Sequence, residues 1–321
     1  MTDEIYMHRC LQLAALGLGH TTPNPMVGAV IVRHDRIIGE GYHHQCGEAH
    51  AEINAINSVN DLALLKDSTL YVNLEPCSHF GKTPPCADAI IRHGIPKVVI
   101  GSIDYHDKVN GNGVRKLRDA GVEVIENVCR EECEELNKRF FMFHRKHRPY
   151  IILKWAQTRD GFMDIDRNNA DVTSSYWITN PALKVLSHKW RGEEDAILVG
   201  YRTMLNDQPQ LTTREYPGKD PQRFVMQRGE KIISTLPYTP LPDNAQDAIE
   251  KLHQFNIQSV IVEGGKRTLE KFMAAGLWDE ARILVGSQIW GKGLPAPNIP
   301  GIHQKTVTID DNLLIYVRRQ L

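Results

Sequence analysis

The sequence has little of several features that would place it in a specialised class of protein. It carries six cysteines in 321 residues, far below the density of a disulfide scaffold. It has no apolar run close to the roughly 20 residues that a membrane helix needs. Its net charge is −1, so no field of one sign favours nucleic acid or an anionic membrane. We therefore expect an ordinary globular protein whose partners are neither nucleic acids nor membranes.

The N-terminus and the length narrow the class further. The first residues, MTDEIYMHRC, start acidic and lack the basic and apolar regions of a secretory signal. We expect the cytoplasm, a reducing compartment in which paired thiols are more often metal ligands than a bridge. A chain of 321 residues exceeds the usual size of one core, so it predicts two domains. It shows no internal repeat and no low-complexity tract.

Two successive series of strand and helix patterns predict α/β architecture in both halves. In the first, MVGAVIV and RIIGEGYH are typical of a β-hairpin. The pattern also predicts one long helix over residues 131–145, which ends in a basic run before Pro149. We place the domain boundary there, giving domains 1–147 and 148–321. The second series begins with the strand YIILKWA.

One constellation in the first half predicts a catalytic zinc site. His50 and Glu52 form an H-A-E triplet, and Cys77 and Cys86 follow on a loop rich in proline. A hydrolytic zinc takes three protein ligands and leaves a fourth position for water, which one histidine and two cysteines allow. Glu52 then remains available to transfer protons.

Other interpretations of these residues stay open at this point. A closed structural zinc would need a fourth ligand, and His79 is the obvious candidate, although Glu52 would then have no role. Cys129 and Cys133, spaced i,i+4, could meet a metal or simply pack in a helix.

The second half has no G-x-G-x-x-G and no P-loop, so a cofactor site must rest on weaker signals. The stretch EGG at 263–265 lies between an apolar strand and a helix. Glycines there let backbone N–H groups approach a phosphate at the helix N-terminus. Trp177 could stack on a ring or be a buried core residue.

Three segments of the first half carry a family resemblance: TPNPMVGAVIV, GEAHAEINAI and PCSHFGKTPPC. H-x-E followed by P-C is the signature of zinc deaminases, here with eight residues between the cysteines. The general signature has only two residues between the cysteines. With its longer loop, this half of the chain resembles the N-terminal half of the bifunctional deaminase/reductase of riboflavin synthesis. The resemblance implies a cytidine-deaminase-like α/β/α sandwich that deaminates 2,5-diamino-6-(5-phosphoribosylamino)pyrimidin-4-one, with Glu52 delivering protons to the ring nitrogen and the leaving ammonia.

The same resemblance implies three substrate contacts. Asn24, in the TPNP turn, could bond the ring edge or be a plain turn asparagine. His79 and Lys82 lie between the cysteines, and Lys82 could meet the substrate phosphate or be an ordinary exposed lysine.

The second half resembles the reductase half of the same family in KWAQTRDG, SYWIT, HKWRGEEDAILVGYRTMLNDQPQLTTR, VEGG and GLWDEARI. That resemblance implies a dihydrofolate-reductase-like α/β domain that uses NADPH to reduce the ribosyl group to ribityl. The residues it places along the dinucleotide are Ala156, Trp177, Thr203, Asp207, Gly265, Lys266, Arg267, Thr268, Leu269, Glu270 and Lys271.

A second set is implied for the reductase substrate: Lys154, Ser175, Arg191, Leu211, Arg214 and Glu263. Arg191 and Arg214 make chemical sense as phosphate forks, although each could also sit in a surface ion pair. Lys154 and Glu263 could handle protons. One departure is Gln227, where the family usually has an aspartate.

The leading hypothesis is therefore a bifunctional enzyme with Zn²⁺ and NADPH as cofactors, phosphorylated pyrimidines as substrates and a homo-oligomeric assembly. One alternative is a monofunctional deaminase whose second half only binds nucleotide or holds a dimer together. Another is a nucleic-acid base editor that shares the zinc motif, which the balanced charge disfavours.

Overall fold

The computed structural model describes residues 2–80, 84–104, 111–165, 177–229, 234 and 236–320. It divides into two compact units, residues 1–147 and residues 148–321. Among the described residues, no helix is long and apolar enough to cross a membrane.

The first unit is built on a five-stranded sheet in the order β2-β1-β3-β4-β5. Strand β1 pairs antiparallel with both β2 and β3, and β3, β4 and β5 run parallel to one another. Its elements are α1 (Asp3–Ala15), β1 (Gly28–Arg33), β2 (Arg36–Tyr42), α2 (Ala51–Asn57), a 3₁₀ helix (Leu62–Asp67), β3 (Thr69–Leu74), α3 (Cys86–His93), β4 (Lys97–Ser102), α4 (Asn112–Asp119), β5 (Glu123–Ile125), α5 (Arg130–Leu136) and α6 (Lys138–Lys146).

Side-chain alternation along this sheet separates two layers of helices. On β1, Ala29 and Ile31 pack with buried residues of α2, α3 and α4. Val30 and Val32, which point the opposite way because strand side chains alternate, pack with α1 and Cys133 of α5. The sheet is thus covered on both faces, which confirms the predicted α/β/α sandwich.

The prediction of a single helix over residues 131–145 is wrong, because the helix is interrupted at Asn137 and continues as a second helix. Asn137 has φ −96° and ψ 20°, between α5 and α6. Its buried amide accepts from the Met26 backbone N–H at 2.8 Å and donates to the Met26 carbonyl at 2.9 Å. This long-range pair of hydrogen bonds fixes Asn137 outside helical geometry, and amphipathic spacing alone does not reveal it.

The second unit is built on an eight-stranded sheet in the order β10-β9-β8-β11-β6-β12-β15-β14, with a separate pair β13-β7. Its elements are β6 (Tyr150–Gln157), β7 (Phe162–Asp164), α7 (Pro181–Glu193), β8 (Ala196–Gly200), α8 (Tyr201–Asp207), β9 (Gln222–Gln227), β10 (Thr239–Pro242), α9 (Ala245–Gln254), β11 (Ser259–Val262), α10 (Lys266–Ala274), β12 (Glu280–Val285), β13 (Leu294–Pro295), β14 (Ile302–Ile309) and β15 (Asn312–Arg318).

Parallel pairing in this sheet brings several strand ends to one edge. The first six strands in this order, β10 through β12, run parallel to one another. The last two are antiparallel: β15 pairs with β12, and β14 pairs with β15. Buried residues of α9 and α10 pack on one face of the sheet, and Met204 of α8 packs on the other. The carboxyl ends of the neighbours β8, β11 and β6 therefore meet, which is where open α/β sheets bind ligands.

We predict that Asn137→Ala destabilises the first unit by about 2 kcal/mol, because the buried Met26 N–H loses its acceptor. Hydrogen exchange of the full chain in urea measures the opening free energies of the two units separately. Asn60→Ala, at an exposed position, is the control and changes stability by less than about 0.5 kcal/mol. Equal effects of the two substitutions would contradict the proposed role of Asn137.

Candidate active sites

Two helix N-termini and one strand end converge in the first unit. His50 is the N-cap of α2, Cys77 follows the end of β3, and Cys86 is the first residue of α3. The Cys77 sulfur lies 3.6 Å and the Cys86 sulfur 3.3 Å from His50 Nδ1. All three potential ligand atoms lie within 4.8 Å of one another.

This donor set fits zinc. Histidine and cysteine ligands at about 2.0 and 2.3 Å from a tetrahedral zinc lie about 3.6 Å from each other. The nitrogen–sulfur distances of 3.6 and 3.3 Å are close to that separation. A nitrogen and two sulfurs are also the ligand types that zinc selects over magnesium or calcium.

Hydrogen bonds distribute charge unevenly over these three side chains. The bond from Cys86, with help from His50, lowers the pKa of the Cys77 thiol to about 4. The same bond and burial raise the pKa of Cys86. The bond to Cys77 raises the pKa of His50 to about 8. The Cys86 backbone N–H also donates to the Cys77 sulfur at 3.3 Å, so the loop itself favours a thiolate there.

Glu52 lies in the first turn of α2 and is 3% exposed. Burial raises the pKa of its carboxyl group to about 7, and the charge of Cys77 adds to the shift. A carboxyl group with a pKa near neutrality can take up a proton in one step and release it in the next. Glu52 therefore combines the position and the acidity of a general acid–base.

The structure separates His79 from the three clustered donors. His79 is exposed, and the donor cluster of the described residues consists of His50, Cys77 and Cys86. This arrangement does not favour a closed four-ligand site. Lys82, the other predicted contact in that loop, lies outside the described residues.

Asn24 contacts a histidine that the sequence motifs do not single out. Its amide nitrogen lies 3.0 Å from His43 Nε2, and the His43 ring meets the His50 ring edge-on with centroids 5.4 Å apart. Burial lowers the pKa of His43. The available signal was a histidine directly after a predicted hairpin strand, which is weak because His44 follows it and the sequence does not show which of the two points inward.

Glu75 is a second residue that the sequence interpretation missed. Its buried carboxylate accepts hydrogen bonds from the backbone N–H groups of Gly111, Gly113 and Val114 at 2.8–3.1 Å. A Cβ at Gly113 would lie 2.1 Å from the Pro76 carbonyl oxygen, so the close approach requires glycine. Glu75 thus anchors the start of the Cys77 loop to the N-terminus of α4.

A second mixed cluster lies on the surface. His8, Cys129 and Glu132 also bring their ligand atoms within 4.8 Å of one another, with Cys129 Sγ 3.8 Å from His8 Nε2. Cys133, which the i,i+4 spacing paired with Cys129, is buried and packs with α1 and the sheet. Packing is therefore the better account of Cys133.

The second unit contains a cavity of about 590 Å³ at the carboxyl ends of β6, β8 and β11. Most of the residues implied by the reductase resemblance line it. They are Lys154, Ala156, Trp177, Arg191, Thr203, Asp207, Leu211, Arg214, Glu263 and Gly265. Residues far apart in sequence thus share one concave surface.

Three charged side chains that line this cavity contact one another. Arg191 donates to both carboxylate oxygens of Glu263, at 3.1 and 2.8 Å, and Lys154 lies 3.6 Å from the same carboxylate. Burial alone would raise the pKa of Glu263, but Arg191 and Lys154 lower it to about 2. Burial lowers the pKa of Lys154, and Glu263 opposes that shift. With all three groups ionised, the trio keeps one net positive charge, which favours an anionic ligand.

The loop between β11 and α10 suits a phosphate. Gly265 is the N-cap of α10 and supplies no side-chain acceptor to its first N–H groups. A Cβ at Gly264 would lie 2.6 Å from Thr268 Cβ, and one at Gly200 would lie 2.4 Å from Thr268 Oγ1. Two glycine backbones therefore lie directly against Thr268. The Gly265 N–H donates to Thr203 Oγ1 at 3.2 Å, and the N-terminus of the nine-residue helix has no side-chain cap, a geometry that suits an anion.

The remaining predicted cofactor residues are less uniform. Leu269 is fully buried in the core, so only its backbone could meet a cofactor. Lys271 donates to the Asp243 carbonyl at 2.9 Å, and Glu270 pairs with Lys266 at 3.8 Å. Arg267 is exposed, and Ser175 lies outside the described residues.

Two aromatic side chains, Trp177 and His188, also line the cavity. Trp177 is 53% exposed, with Lys184 Nζ 5.2 Å above its ring, so it is not a core tryptophan. His188, missed by the sequence interpretation, donates from Nδ1 to the Thr212 carbonyl at 2.6 Å. Arg191 donates to the same carbonyl at 3.2 Å. Together they hold the loop in which Leu211 has φ +54°.

Each of the two units matches a known protein family. The cytidine and deoxycytidylate deaminase zinc-binding region matches residues 1–102. The RibD C-terminal domain matches residues 149–312.

Several relatives match along nearly the whole chain. The riboflavin biosynthesis protein RibD of Aquifex aeolicus is 38% identical, with 99% of this chain and 98% of the relative covered. The RibD protein of Actinobacillus pleuropneumoniae is 36% identical, with 91% and 85% covered.

Solved structures agree with these relatives. A diaminohydroxyphosphoribosylaminopyrimidine deaminase/5-amino-6-(5-phosphoribosylamino)uracil reductase from Thermotoga maritima is 35% identical, with a TM-score of 0.87 and 99% of both chains covered. A RibD structure from Acinetobacter baumannii has a TM-score of 0.89 at 29% identity, again with 99% of both chains covered.

We predict that Cys86→Ser removes most of the bound zinc, because the site loses one of three thiolate and imidazole donors. Elemental analysis of the purified full chain measures zinc per polypeptide. Cys46→Ser replaces an exposed thiol outside the cluster and serves as the matched control, with wild-type zinc expected. Equal zinc in Cys86→Ser and wild type would contradict the assigned ligands.

Proposed function

The chain belongs to the RibD family of riboflavin-biosynthesis enzymes, and we propose that residues 1–147 carry its deaminase and residues 148–321 its reductase. The first reaction is the hydrolytic deamination of 2,5-diamino-6-(5-phosphoribosylamino)pyrimidin-4-one. The second is the NADPH-dependent reduction of the ribosyl side chain, which gives 5-amino-6-(5-phosphoribitylamino)uracil.

The convergence of His50, Cys77, Cys86 and the buried Glu52 is the observation that best supports the deaminase assignment. We assign the first three as zinc ligands. When bound there, zinc makes hydroxide available near neutral pH. Glu52 takes one proton from the attacking water and passes it to the ring nitrogen. It then takes the second proton from the hydroxyl group added to the ring carbon and passes it to the amino group, which leaves as ammonia.

Asn24, His79 and Lys82 are our proposed contacts to the deaminase substrate. Asn24 can offer its amide to the edge of the pyrimidine ring. The His43 ring lies between Asn24 and His50 and contacts both side chains. The Lys82 ammonium group would supply a point charge for the substrate phosphate.

The reductase assignment rests on the positively charged cavity and on the loop at Gly265. NADPH supplies the hydride when it is bound. Our proposed cofactor contacts are those implied by the resemblance, with the N-terminus of α10 receiving a phosphate. The substrate set remains Lys154, Ser175, Arg191, Leu211, Arg214 and Glu263.

Within that set, the charges favour a different role for each of three side chains. Glu263 stays ionised because Arg191 and Lys154 surround it. Lys154 is desolvated, which eases the release of its proton to a sugar oxygen during ring opening. Arg214 is exposed, lines the cavity, and donates from Nη1 to Thr212 Oγ1 at 3.2 Å. Its fork is therefore available to a phosphate.

A monofunctional deaminase is not favoured. The reductase domain model matches residues 149–312, and the second unit keeps a charged cavity at the strand ends. A half that served only to hold a dimer together would not need such a cavity.

A homo-oligomer and a cytoplasmic location are further parts of the proposal. In the described sheet β14 is the last strand, and it exposes Ile302 and Val307, at 50% and 37%. An edge strand of this kind suits pairing with a second copy. Sedimentation of the purified protein tests this. The thiols of Cys77 and Cys86 must stay reduced to bind metal, which agrees with a reducing compartment.

We predict that Glu52→Gln lowers the rate of ammonia release by about 10³-fold, because it removes the group that moves protons. NADPH oxidation with the deaminated intermediate stays at the wild-type rate, since the reductase residues are untouched. Glu48→Gln is the control, an exposed carboxylate four positions earlier, and it leaves both rates unchanged. Wild-type ammonia release from Glu52→Gln would contradict the assignment of the catalytic group.

We also predict that Arg214→Ala raises the KM of the reductase about 10- to 100-fold with little change in kcat, as expected for loss of a charged hydrogen bond to the substrate. The measurement is steady-state NADPH oxidation against concentration of the deaminated intermediate. Arg159→Ala, at an exposed arginine outside the cavity, should leave both constants unchanged. An unaltered KM in Arg214→Ala would remove Arg214 from the substrate site.

A further inference from the structure

His43 is a buried histidine that no part of the deaminase chemistry described above uses. It follows the last residue of β2 and is 3% exposed. Its ring nitrogens contact two different groups: Nδ1 lies 3.1 Å from the Ala49 carbonyl oxygen, and Nε2 lies 3.0 Å from Asn24 Nδ2. The ring thus bridges the TPNP turn and the segment that leads into His50.

The two contacts fix the tautomer of His43. A carbonyl oxygen can only accept, so Nδ1 must carry the proton that is donated to Ala49. In the neutral ring Nε2 is then an acceptor, and Asn24 must present its amide NH₂ group to it. The orientation of the Asn24 side chain therefore follows from a backbone carbonyl six residues beyond His43.

This bond leaves Asn24 in one defined orientation. With one amide hydrogen directed at His43, the carbonyl oxygen Oδ1 of the same planar amide lies on the other side as an acceptor. No hydrogen bond from another described residue to Oδ1 is found. A ring N–H or amino group of a pyrimidine is a suitable donor for it.

The backbone on either side of the His43 ring is itself held in place. Its backbone N–H donates to the Val27 carbonyl at 2.9 Å. Asn54 of α2 donates to the Tyr42 carbonyl at 2.8 Å and to the Ala49 carbonyl at 3.3 Å. A Cβ at Gly41 would lie 2.4 Å from the Ala55 backbone nitrogen, so β2 lies directly against α2.

These contacts link Asn24 to the metal-ligand end of α2 through one rigid ring. The His43 and His50 rings meet edge-on at 5.4 Å, and Ala49, which accepts from His43, immediately precedes His50. A polar group held in advance in its working orientation loses less freedom when substrate binds. The Asn24 amide is placed in this way relative to His50.

We propose that His43 is a positioning residue of the deaminase, which orients the Asn24 amide toward the pyrimidine ring through Nε2. The inference rests on the proposed contact between Asn24 and the substrate. It assigns His43 no proton transfer and no metal contact.

Two substitutions separate this role from a purely structural one. In His43→Asn, the shorter amide can occupy the position of Nδ1 and keep the bond to the Ala49 carbonyl, but it loses the acceptor for Asn24. In His43→Gln, the longer amide can place its oxygen near the position of Nε2 and keep the acceptor, but it loses the bond to Ala49. The two variants therefore each remove one of the two hydrogen bonds.

We predict that His43→Asn lowers kcat/KM for deamination about 100-fold, the order expected when a substrate-orienting group is misplaced. His43→Gln keeps most of the wild-type value. Zinc content and the rate of NADPH oxidation with the deaminated intermediate stay at wild-type levels in both variants. The reductase in the same chain thus reports whether each variant is folded.

A double-mutant cycle completes the test. Asn24→Ala alone should reduce deamination, and adding His43→Asn to it should cause no further loss, because His43 acts through Asn24. Additive losses would overturn the inference, as would a larger loss in His43→Gln than in His43→Asn, which would point to the Ala49 bond. Full deamination by Asn24→Ala would overturn the proposed Asn24 contact and the inference with it, whereas a sensitive Asn24→Ala with an insensitive His43→Asn would overturn the inference alone.

Discussion

The close approach of α2 and α3 at the end of β3 is the constraint on which the deaminase half depends. It brings the potential ligand atoms of His50, Cys77 and Cys86 within 4.8 Å of one another. The glycine at position 41 lets β2 lie against α2, and the Glu75 carboxylate ties the Cys77 loop to α4. Because the same packing buries Glu52, it also raises the pKa of that carboxyl group toward neutrality. The proposed metal site and the proposed proton-transfer group therefore depend on the same packing.

The reductase half uses charge in a different way. Its buried trio of Arg191, Lys154 and Glu263 is paired through short contacts, yet retains a net positive charge. A buried pair of equal and opposite charges contributes little net stability, so the extra cation is better explained by an anionic ligand than by folding. The N-terminus of α10, which has no side-chain cap, is our proposed second anion-binding element at the same end of the strands.

Much of this could be predicted from the sequence, because the informative residues are close together. H-A-E and P-C each lie within a few residues, and the alternation of strands and helices gave the fold class of both units. Three features could not be predicted. The bonds from Asn137 to Met26 span 111 positions, and the contact between His43 and Asn24 joins two loops. The family resemblance placed Arg191 and Glu263 in one substrate set, but not the ion pair that joins α7 to the loop after β11. Each depends on which surfaces meet in three dimensions, and no local periodicity encodes that.

The central claim is that one chain carries out two consecutive reactions. The most direct test is to incubate the zinc-loaded protein with the diaminopyrimidine ribosyl phosphate and NADPH, and to measure ammonia and NADP⁺ in the same sample. The account predicts that both products form and that, at completion, one NADPH is oxidised for each ammonia released. Ammonia without NADPH oxidation, or neither product, would contradict it.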